Sequence, residues 1–194
     1  MEIRQVVNTV FKSCSYVIVH EGKSWLVDCG DVDRILPMID GTFCGVLLTH
    51  AHFDHIYGLN VLAAMFPKAL VYTTRAGKEE LLSDKLNFSK YYGEPFVLDD
   101  TEAVRLVEDG DEVPLFDGIA ARAVFTPGHS PSCVTWVIGD ALFTGDSFIP
   151  GVKTVTNVPH SDKEQAAVSE VLIRDLAVGR RVYAGHASES ESMI

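Results

Sequence analysis

Residues 49–55 read Thr-His-Ala-His-Phe-Asp-His, and this stretch limits what the rest of the chain can be. It sets His50, His52, Asp54 and His55 within six residues. On a helix, residues i and i+2 diverge by roughly 200°, so His50 and His52 converge on one target only from extended chain. The flanks agree with that. GVLLT (45–49) reads as a short buried strand. Leu59, Leu62, Ala63 and Phe66 then recur at i, i+3, i+4 and i+7, the spacing of a helix, and Pro67 stops it. The motif therefore falls on a strand-to-helix loop, which can aim several side chains at one point. Imidazole with carboxylate is a donor set for zinc, and also for iron or manganese.

Three more donors stand in similar places. His129 lies in TPGHSPSC after a strand ending at Phe125. Asp146 lies in FTGD after strand 141–144, and His186 lies in YAGH after strand 181–184. Each has a glycine beside it, which lets the backbone turn sharply and approach closely. With residues 49–55 they make seven candidate ligands at strand ends.

The rest of the chain supplies a scaffold for such loops. Residues 15–20 and 24–28 read as a hairpin around Glu21-Gly22-Lys23, and 69–73 as a further strand. A helical stretch is expected from Ala76 to Tyr92. In the second half, 119–125 alternates as a strand does, and 134–138 and 141–144 flank a Gly139-Asp140 turn. Ser161 and Glu164 form a capping box for a helix whose apolar face is Val168, Val171, Leu172 and Leu176. Gly179 ends that helix. Strands cluster in each half with helices between them. This predicts an α/β fold, a four-layer αββα sandwich, in a single domain spanning 1–194.

Composition sets the outer limits. At 194 residues with 47% hydrophobic and 22% charged residues, the chain can bury a core and is not disordered. Sixteen Lys and Arg against 27 Asp and Glu give a formal charge of −11, which argues against nucleic acid as a partner. No apolar run reaches the roughly 18 residues of a membrane span, and the start lacks a basic and apolar leader, so a cytoplasmic location is expected. Cys14, Cys29, Cys44 and Cys133 are scattered and read as reduced core residues rather than a disulfide or zinc framework.

In order along the chain, VDCGD, THAHFDH, TPGHSPSC, FTGD and AGH resemble the motifs of the metallo-β-lactamase-fold hydrolase superfamily. The resemblance implies two divalent metal ions, zinc first, with iron and manganese also compatible. His50, His52 and His129 would bind the first ion. Asp54, His55 and His186 would bind the second, and Asp146 would bridge them. Asp28 would support the metal loop without ligating. Two such ions share a hydroxide at neutral pH, which would attack a carbonyl carbon while Asp54 orients it.

Within the superfamily, TPGHSPSC and FTGDSF resemble the glyoxalase II-like branch, which hydrolyses thioesters such as acylated glutathione. The implied partner is a small thioester or ester. Lys153, in IPGVKTVTN, is the candidate for a substrate carboxylate, and Tyr57 and Phe148 are candidates for an apolar substrate wall. The alternative is a persulfide dioxygenase of the same fold, with one iron on His50, His129 and Asp146. A non-catalytic binding module of the same fold is the reading outside enzymes.

Overall fold

A computed structural model describes residues 1–92 and 94–187, so the span assigned to the domain is described up to Ala187. The first half forms a six-stranded sheet. β1 (Glu2–Val7), β2 (Cys14–His20) and β3 (Lys23–Val27) run antiparallel. β4 (Thr42–Leu47), β5 (Leu70–Thr73) and β6 (Val104–Leu106) then continue parallel to β3. Their crossovers carry α1 (Val32–Ile35), α2 (Phe53–Ile56), α3 (Leu59–Met65), α4 (Arg75–Leu81) and α5 (Ser89–Tyr92).

The second half forms a five-stranded sheet in the order β11-β10-β9-β8-β7. Its strands are β7 (Glu112–Phe116), β8 (Ile119–Phe125), β9 (Val134–Ile138), β10 (Ala141–Gly145) and, after α6 (Lys163–Leu176), β11 (Arg181–Ala184). The β2–β3 hairpin turns on Glu21 and Gly22, both at positive φ, as a tight two-residue turn requires.

Side-chain alternation sorts these strands into layers. Tyr16 and Ile18 of β2 face Ala121, Ala123, Trp136 and Phe143 of the other sheet in one apolar cluster. Val17 and Val19 point the opposite way, onto Val32, Ile35, Leu59 and Leu81 of the helices. On the far side, Val124, Val137 and Leu142 pack on Ile173 of α6. Helices, sheet, sheet and helix therefore stack as the sequence predicts. Two tryptophans tie the sheets: Trp25 Nε1 donates to Leu115 O and Trp136 Nε1 to Leu48 O, both at 2.9 Å. Among the described residues no helix is long and apolar enough to cross a membrane.

Three local expectations need correction. The helix expected over 76–92 breaks into α4 and α5. Buried Asn87 takes over the backbone's partners there: its amide donates to Glu80 O and Phe96 O, and its oxygen accepts from Ser89 N. The next residue, Phe88, turns left-handed at φ +67°. Helix α6 is capped by Asp162, not Ser161; Asp162 Oδ1 accepts from Glu164 N and Gln165 N, both at 2.9 Å. Its buried face is Ala166, Ser169 and Ile173. Leu176 does join that core, but Val168, Val171 and Leu172 face outward.

Candidate metal centre

All seven candidate ligands follow strands whose ends meet at one edge of the sandwich. His50, His52, Asp54 and His55 follow β4, and His129 follows β8. Asp146 comes directly after β10, and His186 lies two residues past β11. Two glycines make the close approach workable. Gly145 adopts φ +51°, and a Cβ there would strike Thr49. A Cβ on Gly185 would run into the Asp146 carboxylate.

The donors form two groups. Nitrogens of His50, His52 and His129 converge within 4.8 Å of one another, as do the donor atoms of Asp54, His55 and His186. Asp146 stands between the groups. One carboxylate oxygen lies 3.5 Å from His129 Nε2 and 3.2 Å from His186 Nε2, and the other lies 3.5 Å from His55 Nε2. Asp54 Oδ2 is 3.4 Å from His55 Nε2 and 3.3 Å from His186 Nε2.

Four rings are anchored through the nitrogen that faces away. His50 Nδ1 meets Thr49 Oγ1 at 3.1 Å, and His55 Nδ1 meets Asp28 Oδ2 at 2.9 Å. His129 Nδ1 meets Val155 O at 3.0 Å, and His186 Nδ1 meets Phe11 O at 2.9 Å. Such outer partners fix the ring orientation and the tautomer of metal-binding histidines. Asp28, buried and at φ +55°, also accepts from Thr49 N and Thr49 Oγ1, both at 2.7 Å. It lies near enough to His50 and His55 to count as a donor, but its oxygens are engaged by Thr49 and His55.

His129 Nε2 meets His52 Nδ1 at 2.9 Å, but three other inward atoms are left without hydrogen-bond partners. His50 Nε2, His55 Nε2 and Asp146 Oδ1 are buried and unpaired. Unpaired buried polar atoms are costly. Three of them converging from imidazole and carboxylate is what divalent cations would satisfy, so the residues present fit such ions. Charge follows the same division. Burial, with the His55 and His52 rings beside it, pushes His50 well below the usual histidine range. Burial and the facing His129 bring His52 down to about 3. For His55 burial opposes the charge, but Asp54 and Asp146 outweigh it and hold the ring well above that range. His186 is likewise raised, to about 10, because its bonds to Asp146 and Asp54 overcome burial. Burial resists ionisation of Asp146, yet His55 and His186 keep its carboxyl well below the usual carboxylate range. The centre thus holds ionised carboxylates balanced by protons that cations can displace.

The substrate-side candidates fall elsewhere. Tyr57 lies at a different surface hollow, where its hydroxyl donates to Asp31 Oδ1 at 2.5 Å. Phe148 is buried in the core against α6. Lys153 is exposed and is not among the cleft's lining residues. The apolar wall beside the ligands is made instead by Phe11, Phe53, Phe88, Tyr92, Val155 and Val158. Phe88 packs against His52 with ring centroids 4.7 Å apart and the planes tilted by 51°. Of these aromatics only Phe53 lies within a sequence motif, and the others have no signature beyond their type.

Sequence reasoning also missed Glu80. Its buried carboxylate accepts from Ser130 Oγ at 2.7 Å and Ser132 Oγ at 2.5 Å. Ser132 Oγ in turn accepts from Ala51 N at 3.3 Å, so Glu80 ties the 49–55 loop to the His129 loop. No disulfide joins the four cysteines, and only Cys44 is partly exposed.

Residues 8–186 match the model of the Metallo-beta-lactamase superfamily, and the chain belongs to that family. It is 32% identical over 146 residues to Glyoxylase B2 of Dictyostelium discoideum, covering 73% of this chain and 48% of that protein. It is 27% identical over 170 residues to a hydroxyacylglutathione hydrolase of Hydrogenovibrio crunogenus, covering 84% and 53%. The chain thus spans about half the length of these relatives. The crystal structure of ETHE1 from Myxococcus xanthus matches 97% of this chain and 77% of that one, with a TM-score of 0.75 and 26% identity.

Proposed function

We propose that this chain hydrolyses a thioester or related acyl bond of a small molecule, using two divalent metal ions, zinc first. The observation that carries this reading is the pair of donor groups facing each other across Asp146, with three inward atoms, His50 Nε2, His55 Nε2 and Asp146 Oδ1, left unpaired. His50, His52 and His129 would hold one ion, and Asp54, His55 and His186 the other, with Asp146 shared. When bound, ions of this kind lower the pKa of a water towards neutrality and polarise a carbonyl oxygen. The chain's own residues do the rest. Asp54 orients the attacking water by accepting one of its protons in a hydrogen bond. The aromatic wall keeps bulk water from the acyl group. The water oxygen adds to the carbonyl carbon and the C–S bond breaks. Sulfur leaves with the bonding pair and takes up a proton, giving one acid and one thiol.

The relatives named hydroxyacylglutathione hydrolases make acylated glutathione the first substrate to try. A single-iron dioxygenase would need only His50, His129 and Asp146; the second, equally converged group of Asp54, His55 and His186 favours the hydrolase. The test is thiol release from acylated glutathione and acyl-CoA, alongside a lactone and a phosphodiester. We expect turnover of a thioester, and loss of roughly a thousandfold or more in His52→Ala with an unchanged far-UV spectrum. A His52→Ala variant with parental kcat/KM would overturn the assignment.

A further inference from the structure

We propose that the metal cleft continues into a second lobe that binds a substrate arm with an apolar body and an anionic end. This rests on the hydrolase reading for the word substrate, but the lobe itself is independent of it. The space beside the ligands has a volume of only about 210 Å³. Ligand sites are usually about 300–1,000 Å³, so this one is small for a whole substrate. A neighbouring hollow of about 400 Å³ shares Phe88, Tyr92 and Val158 with it, so the two are lobes of one cleft. The outer lobe adds Leu86, Tyr91 and Pro159 as apolar wall, with Lys85 and His160 as its basic side chains.

Two further features mark this surface as built for a ligand. Among the described residues six non-glycines adopt left-handed backbone, and three of them, Phe11, Phe88 and His160, line the two lobes. Bulky side chains seldom take that conformation, and such residues concentrate at binding and active sites. Large aromatics are also left in solvent here: Phe11 is 56%, Tyr91 65% and Tyr92 56% exposed, and Phe11 meets Tyr92 edge to face at 5.1 Å. A contiguous exposed apolar patch is a mark of an interaction site.

Charge narrows the ligand. The chain carries a formal charge of −11, so an anion approaches it against the overall field. Lys85, exposed and lining the lobe, has no acidic partner among the described residues. The ion pairs of the described residues are made by arginines and histidines, none by Lys85. A lysine held beside aromatic wall is a receptor for a carboxylate, phosphate or sulfonate attached to an apolar body.

The first test is fluorescence titration of the full, metal-loaded chain with anilinonaphthalene sulfonate, an apolar ring system bearing one anion. We expect about one probe per chain, with Kd raised about tenfold by Lys85→Met and by Tyr91→Ala, and unmoved by Lys153→Met. A Kd unchanged in Lys85→Met would overturn the proposal. The second test asks which side of the scissile bond the lobe reads. S-acetylglutathione carries its anions on the thiol, S-succinyl-N-acetylcysteamine carries one on the acyl group, and S-acetyl-N-acetylcysteamine carries none. Lys85→Met should raise KM about tenfold more for one of the two charged thioesters than for the neutral one, which identifies the side. If neither charged thioester responds, the lobe plays no part in substrate binding and the proposal fails. If no thioester is hydrolysed while probe binding still depends on Lys85, the lobe stands and the thioesterase reading falls.

Discussion

At the scale of single residues, the site depends on side chains that never face the cleft. Asp28 orders Thr49 and His55 at once, through three hydrogen bonds of 2.7–2.9 Å. Asp28→Asn should therefore weaken metal binding by about 10–100-fold while the fold persists, as read by competition with a chelator. Unchanged affinity would mean that the His55 ring is held by packing alone. Glu80 gives a pH signature. Burial raises its carboxyl from 4.5 to about 7, despite the two serine bonds. The folded chain then keeps a proton that the unfolded chain loses above about 4.5. The stability that Glu80 contributes therefore falls as pH rises from 4.5 to 7 and levels off above that. Measured on metal-free protein against Glu80→Gln, which cannot ionise, the difference should move by about 2–4 kcal/mol across that window. A flat difference would show that Glu80 is ionised throughout. Of these two residues, Asp28 was legible from its place in VDCGD. Glu80 was not, because nothing in a helix of charged residues shows which one turns inward.

At the scale of elements, strand-forming stretches with clear alternation read well and surface helices read poorly. β8, β9, β10 and β11 lie where period-two patterning and turn residues set them. Helix α6 shows the failure. Val168, Val171 and Leu172 together outweigh Ala166, Ser169 and Ile173 in hydrophobicity, yet the second set faces inward. The reason is steric: the loop bearing His129 crosses so near α6 that even a Cβ on Gly128 would clash with Ala166. Ser169 Oγ closes the same contact by donating to Pro127 O at 2.6 Å. Close approach of the backbone at 127–128 requires small residues at Ala166 and Ser169, and Ile173 fills the wider space beyond them. Ile173→Ala should accordingly cost about 2–5 kcal/mol in chemical denaturation. Leu172→Ala should stay within about 0.5 kcal/mol of the parent. The reverse order would restore the face expected from hydrophobicity alone. The break between α4 and α5 was equally hidden, since it depends on Asn87 finding carbonyls from residues 80 and 96.

At the scale of the whole molecule, two sheets with parallel strands at one edge bring distant loops to a common point. That explains why seven candidate donors could be picked out without any knowledge of contacts: each falls in the segment after a strand. The substrate side was not readable, because apart from Phe53 the cleft wall comes from positions outside the motifs: Phe11 in the β1–β2 loop, Phe88 and Tyr92 in the α4–α5 segment, and Val155 and Val158 well past β10. The central claim is that two donor groups hold two ions across Asp146. It is tested most directly by elemental analysis of metal per chain, on protein purified without chelator, together with His186→Ala. The account predicts about two metals per parent chain, mainly zinc, and about one in the variant. About one iron per parent chain, unchanged in His186→Ala, would contradict it.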